Sequence, residues 1–185
     1  MRLEDILVIL RTGRGVSYDG EAVDELTHAM QCAGQAMAAG ASDELIVAAA
    51  LHDVGRAPAV RSRFGELPHE HAGARYCWEP FGGRVAWLIA SHVPAKRCLV
   101  AIDPDYRAGL SPASVRSLAA QGGPLAGDEL EDFQSHLWYE DAISLRRWDD
   151  GAKDPLAVTP SLSDLTPYFE RVGTFDLTEA RLTPS

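Results

Sequence analysis

Ser42-Asp43-Glu44-Leu45-Ile46-Val47-Ala48-Ala49-Ala50-Leu51-His52-Asp53 is the stretch on which the reading of the fold turns. Ser42 with Glu44 opens a helix that runs through seven apolar residues to about His52. A helix this apolar belongs in a core, yet it ends on two adjacent polar side chains. Buried polar groups need partners or a ligand. An adjacent His-Asp pair can hold one metal ion through the imidazole while the carboxylate bridges to a second.

On either side of this stretch, helical periodicity dominates. Residues 21–39 carry Val23, Leu26, Met30, Ala33 and Met37 at three- and four-residue spacing, and Gly40 marks the C-terminal stop. Residues 69–78 and 82–93 read as two further helices. Ser111-Pro112 is a cap followed by proline at the first helical position, and Gly122-Gly123-Pro124 ends that helix. Helices near 127–136, 138–148 and 163–171 complete the set. Residues 98–102, CLVAI, have the look of a strand but suit a buried helix end equally well. The fold class expected is all-α, in one domain over 1–185 with its core at about 15–170 and a short irregular tail.

The chain has 185 residues, 46% hydrophobic and 24% charged, with a formal charge of −10. That is an ordinary soluble composition. The acidity works against nucleic acid or an anionic membrane as partner, because neither polyanion would be attracted. The amphipathic, acidic start lacks the basic leader and apolar run of a signal peptide, and no stretch reaches transmembrane length on this reading. A cytoplasmic setting is expected. Cys32, Cys77 and Cys98 are scattered among apolar neighbours and read as buried free thiols, with no CxxC pair to suggest zinc.

Five of the six histidines fall where a metal site would explain them. His28 lies seven residues from both Glu21 and Gln35, on one helix face. His92 extends the apolar stripe of Val85, Leu88 and Ile89 and so faces the core. A lone histidine there would be an ordinary core residue; four such residues together point to ligands. His69 and His71 are alternatives, and His136 reads as surface. Imidazole and carboxylate without thiolate suit iron, manganese or another first-row divalent ion.

Tyr18-Asp-Gly-Glu21, His69-Glu70-His71-Ala72-Gly73-Ala74, His92-Val-Pro-Ala-Lys96-Arg97, Leu110-Ser-Pro-Ala-Ser114, Gln121-Gly-Gly-Pro and Leu145-Arg146-Arg147-Trp148-Asp149-Asp150-Gly-Ala-Lys153 occur in this order. With H…HD…D, they make the chain resemble the HD-domain mixed-valent diiron oxygenases of the PhnZ/TmpB type, relatives of myo-inositol oxygenase. The resemblance runs from about residue 15 to 170. It implies an HD-domain helical bundle with a dinuclear site in its core. His28, His52, Asp53 and Asp149 would hold one iron, and Asp53, His69 and His92 the other, as an Fe(II)/Fe(III) pair. The register of the family motif selects His69 over His71 and Asp149 over Asp150. Tyr18 and Glu21 match a catalytic pair that closes over the site, the tyrosine occupying an iron position until substrate displaces it.

The implied activity is cleavage of the carbon–phosphorus bond of a small α-hydroxyphosphonate by O2, giving phosphate and a carboxylic acid. A phosphonate dianion wants fixed cations and hydroxyl or amide donors. Lys96 lies four residues beyond His92 and Arg146 three before Asp149; Ser114, Ser117 and Gln121 share one polar helix face. These five are the expected phosphonate contacts, although Arg146, Arg147 and Lys153 would also serve as salt-bridge partners on an acidic protein. Arg56 departs from the histidine usual in aminophosphonate-using relatives. It is expected at the substrate's far end, disfavouring an ammonium there, or else turned to solvent and paired with Glu66. Two rivals stand beside it: an HD phosphohydrolase acting on a nucleotide or other phosphate ester, which half the ligands fit equally well, and a catalytically inactive HD module that binds a small phosphonate or a protein partner, against which stands the presence of all six ligands.

Overall fold

A computed structural model describes residues 1–175; the tail expected to be irregular lies largely outside the described residues. Among those residues there are ten helices and no strand. They are α1 (Leu3–Thr12), α2 (Glu25–Ala38), α3 (Asp43–Leu51), α4 (Pro58–Phe64), α5 (His69–Ile102), α6 (Pro104–Ala108), α7 (Pro112–Ala120), α8 (Asp128–Ser135), α9 (Tyr139–Gly151) and α10 (Leu162–Val172), with a 3-10 turn at Val54–Arg56. The all-α expectation holds.

Buried side chains of α2, α3, α5 and α9 make the centre of one contiguous core, and α10 packs on α3 from outside. α1 joins this core through Ile6, Leu7, Ile9 and Leu10, so the core begins earlier than the sequence suggests. α3 is buried on every side, which is why it reads as an unbroken apolar run. Ser42 caps it, accepting from the Leu45 amide. Cys32, Cys77 and Cys98 are buried free thiols.

α2 begins later than its apolar periodicity implies. Asp24 is the N-cap, accepting from the Thr27 amide at 2.7 Å and the Gly15 amide at 2.8 Å. Residues 18–23 therefore form a loop, with Asp19 and Gly20 at φ 50° and 83°. Glu21 is not on the helix face of His28 at all. His28 itself is fully buried, in a stripe with Gln31 that faces inward rather than to solvent.

The two helices expected at 69–78 and 82–93 are parts of one long run, broken at Gly82 (φ 79°, ψ 179°). The second part continues past His92 to Ile102, so the strand-like residues 98–102 are its last turns. By length and apolarity α5 could cross a membrane, contrary to the reading of the sequence alone. Two thirds of its apolar window is nevertheless buried inside the protein. His136 is half-buried rather than on the surface, because its ring stacks on Trp87 at 3.7 Å.

One close crossing sets the site. The 3-10 turn after Asp53 lies directly on the start of α5. A Cβ at Gly55 would sit 1.8 Å from the His69 carbonyl oxygen and 2.7 Å from the Gly73 amide nitrogen. Only glycine lets the two backbones meet here, and their meeting brings Asp53 to His69.

Candidate metal centre and substrate pocket

Four histidine rings converge from α2, α5 and the end of α3. His28 and His52 present Nε2 atoms 3.1 Å apart, and His69 and His92 do the same, also at 3.1 Å. The far nitrogens are occupied. Nδ1 of His28 lies 2.8 Å from the Ala152 carbonyl, that of His52 2.8 Å from Ala49 and that of His92 2.7 Å from Ile89. A carbonyl only accepts, so these three Nδ1 atoms each carry a proton, and the three Nε2 atoms are the ones turned to the cluster. Burial drives the His92 imidazole well below its ordinary pKa, into the neutral form that binds metals.

Asp53 stands between the pairs. Its Oδ1 is 3.1 Å from His69 Nε2 and 3.7 Å from His92 Nε2; its Oδ2 is 3.5 Å from His52 Nε2 and 4.0 Å from His28 Nε2. Both oxygens are buried without a hydrogen bond. Imidazole nitrogens converging on a buried carboxylate that makes no hydrogen bond, with the Arg56 Nε 3.1 Å from one of its oxygens, suit a cation among them. The donors fit two ions, His28–His52–Asp53 and Asp53–His69–His92, with one Asp53 oxygen turned to each. Burial alone would raise the Asp53 pKa, but Arg56 and His52 hold it well below the usual carboxylate range.

The sixth expected ligand, Asp149, joins the first group: Oδ1 lies 3.3 Å from His28 Nε2 and 3.7 Å from His52 Nε2. Asp150 points elsewhere, to Arg146 and the Tyr106 hydroxyl. His71 is exposed on the outer side of α5, so His69 is the histidine brought to Asp53. Tyr18 lies over this group, its ring stacked on His28 at 3.7 Å and its hydroxyl 3.3 Å from Asp149 Oδ1. Glu21 accepts from Ser111 at 2.9 Å and pairs with Lys153 at 3.3 Å, which ties the Tyr18 loop to the start of α7.

A cavity of about 30 Å3 opens beside the Asp53–His69–His92 group, and all six expected substrate residues line it. Their states differ. Arg146 is buried with its guanidinium saturated by Asp149 (2.7 Å) and Asp150, so its salt-bridge role is the one seen. Lys96 is 3% exposed and donates to Ser117 at 2.8 Å. Among the described residues it has no ion pair, and burial, aided by Arg146, pulls its pKa down to about 8. Ser114 is buried beside Lys153, and the Gln121 amide oxygen is buried without a partner. Arg56 pairs with Asp19 and Asp53 and not with Glu66.

No family model matches the chain. Individual relatives do. Over 161 residues, 84% of this chain and 80% of the relative, it is 38% identical to the hydroxymethylphosphonate dioxygenase of Gimesia maris. Over 163 residues, 84% and 82% of the two chains, it is 34% identical to the 1-hydroxy-2-(trimethylamino)ethylphosphonate dioxygenase (glycine-betaine-forming) of Leisingera caerulea. The chain belongs to the HD-domain hydroxyphosphonate dioxygenases.

As a member of these dioxygenases it is a metal-dependent oxygenase, and the histidine–aspartate cluster is the part of the fold able to hold the metal. Two residues of the dioxygenase site escape the sequence reading. Asp19 binds Arg56 bidentately at 2.8 and 2.9 Å, and Glu70 places a carboxylate oxygen 3.1 Å from His69 Nδ1. Asp19 had a signal, its place beside Tyr18 and ahead of Gly20; Glu70 had one inside the His69–Ala74 motif. Neither could be assigned a partner without the tertiary contacts.

Proposed function

We propose that this oxygenase cleaves the carbon–phosphorus bond of a small α-hydroxyphosphonate with O2. The products are phosphate and a carboxylic acid. Atoms balance with both oxygens of O2 retained, one on the carboxylic acid and one on the phosphate, as the C1–H and C1–P bonds break. The observation that carries this reading is Lys96, a buried ammonium with no carboxylate partner among the described residues, lining the same cavity as His69, His92 and Asp53. A buried cation of this kind awaits an anion.

Iron suits the nitrogen and oxygen donors, which include no thiolate. His28, His52, Asp53 and Asp149 would hold one ion and Asp53, His69 and His92 the other. Bound there as an Fe(II)/Fe(III) pair, iron supplies the activation of O2 and the oxidation at C1. The chain's own residues bind and orient. Lys96 neutralises the phosphonate, with Ser114 and Ser117 as hydroxyl donors and the Gln121 amide nitrogen as a further donor. Arg146 holds Asp149 in place and contributes positive potential. Tyr18 and Glu21 cover the cavity and keep bulk water from it.

Phosphate release from α-hydroxyphosphonates tests this directly, with ferrous iron, in air and under nitrogen. Release that requires both iron and O2 is expected. Anaerobic release of phosphate from nucleotides with manganese, and none from phosphonates, would overturn it.

A further inference from the structure

Once the phosphonate sits by Lys96 and the C1 hydroxyl faces the His69–His92 pair, the lining left for the substituent on C1 includes Tyr18, Asp19, Glu21 and Arg56. Two things recognise an ammonium or trimethylammonium group in water-excluded sites: an aromatic face, or a carboxylate with charge to spare. Tyr18 is the only Phe, Tyr or Trp ring lining the cavity among the described residues. One of its faces is stacked on His28 at 3.7 Å, and the Arg56 guanidinium lies over the ring at 5.1 Å. The carboxylates are also spent. Asp19 receives both Arg56 Nη atoms at 2.9 and 2.8 Å, and Glu21 is held by Lys153 and Ser111. Arg56 itself is anchored a third time, its Nε 3.1 Å from Asp53 Oδ1.

We infer that Arg56, clamped to Asp19 across the Tyr18 ring, is a specificity-determining residue that restricts the C1 substituent to a small uncharged group and rejects a cationic one. This rests on the function proposed above and names its substrate class. Arg56 takes both positions a cation would use, the aromatic face and the carboxylate, and adds like charge beside them. Opening the clamp to admit an ammonium would strip a bidentate pair and leave a guanidinium against the incoming charge.

The decisive measurement compares kcat/KM for hydroxymethylphosphonate with that for 1-hydroxy-2-(trimethylammonio)ethylphosphonate. The wild-type protein should favour the first by roughly 100-fold, the scale of a few like-charge kcal/mol. Arg56→Gln frees Asp19 and the ring, and should narrow that ratio about tenfold by raising the cationic substrate. Asp19→Asn leaves Arg56 with Asp53 as its remaining carboxylate, increases the positive charge at the clamp and should widen it. A merely structural role for the clamp would move both variants the same way. A wild-type ratio near or below one, or variants that shift the ratio in the same direction, overturns the inference. Calorimetric binding of ethylphosphonate and 2-(trimethylammonio)ethylphosphonate to the iron-loaded protein keeps the two readings apart. If no hydroxyphosphonate is turned over, the proposed function fails. Even then, equal or tighter binding of the cationic ligand would overturn the role of Arg56, and weaker binding would uphold it.

Discussion

His69 and His92 aim their Nε2 atoms at each other across 3.1 Å, while Asp53 Oδ1 stands 3.1 Å from the first and 3.7 Å from the second. Three atoms able to bind a metal in so small a volume suit a cation shared between them. His28, His52 and Asp149 repeat the arrangement on the other side of Asp53.

Removing His92 or His69 by alanine should therefore leave a folded protein with about one ion per chain in place of two. His28 and His52 still offer a complete group with Asp53 and Asp149. Oxygenase activity should fall to background in both variants. Metal content by mass spectrometry, read beside the circular dichroism spectrum, checks this; wild-type metal content in either variant contradicts the ligand assignment.

Gly55→Ala should be costly far out of proportion to one methyl group. Its Cβ would lie 1.8 Å from the His69 carbonyl oxygen, a backbone atom that cannot swing aside. Displacement of the turn from α5 should cost about 1–3 kcal/mol or more. The same displacement separates Asp53 from His69, so metal content should drop with stability. Chemical denaturation and metal analysis on one sample report both effects.

Lys96 links function to stability through pH. Its ammonium titrates at about 8 in the folded protein against 10.5 without burial. Below pH 8 both folded and unfolded chains carry the proton, so the burial penalty is fully present. Between pH 8 and 10.5 the folded state sheds its proton first, and this group makes stability rise with pH. Lys96→Met should thus stabilise the ligand-free protein at pH 7, by about 3 kcal/mol at the upper end, and abolish that rise. Phosphonate affinity should fall sharply in the variant and, in the wild type, decline as pH passes 8. Thermal melts across pH, with and without methylphosphonate, carry the test.

Tyr18→Phe removes a hydroxyl 3.3 Å from Asp149 while keeping the ring stacked on His28. Burial and the Asp149 charge push the phenol well above its ordinary pKa, so only a bound cation would turn it into a phenolate. The iron-loaded wild type should show a tyrosinate-to-iron absorption band that the variant lacks, with iron content unchanged. An identical spectrum in both would mean that Tyr18 does not reach the metal.

What the sequence determined by itself was whatever depends on near neighbours. The Ser42 cap, the Gly40 stop and the apolar run 45–51 specify their helices through contacts within a turn or two, and the break between 78 and 82 was readable as well. The kinds of metal donor were legible in the same way, as polar residues stranded on apolar helices. Tertiary structure decided the rest, because it rests on contacts between residues far apart in the chain. Asp24 outcompeted the periodicity that began α2 at residue 21, since its carboxylate also serves Gly15. His136, polar in an acidic stretch, was drawn against Trp87. Arg146 and Lys96 look alike in the sequence, yet Asp149 and Asp150 saturate one, while the other has only the Ser117 hydroxyl. Arg56 could have met Glu66 ten residues on; the fold gave it Asp19 instead, 37 residues back. Charge type is written in the sequence, but which charge is left unpaired follows from packing, and that residue is the one available to a ligand.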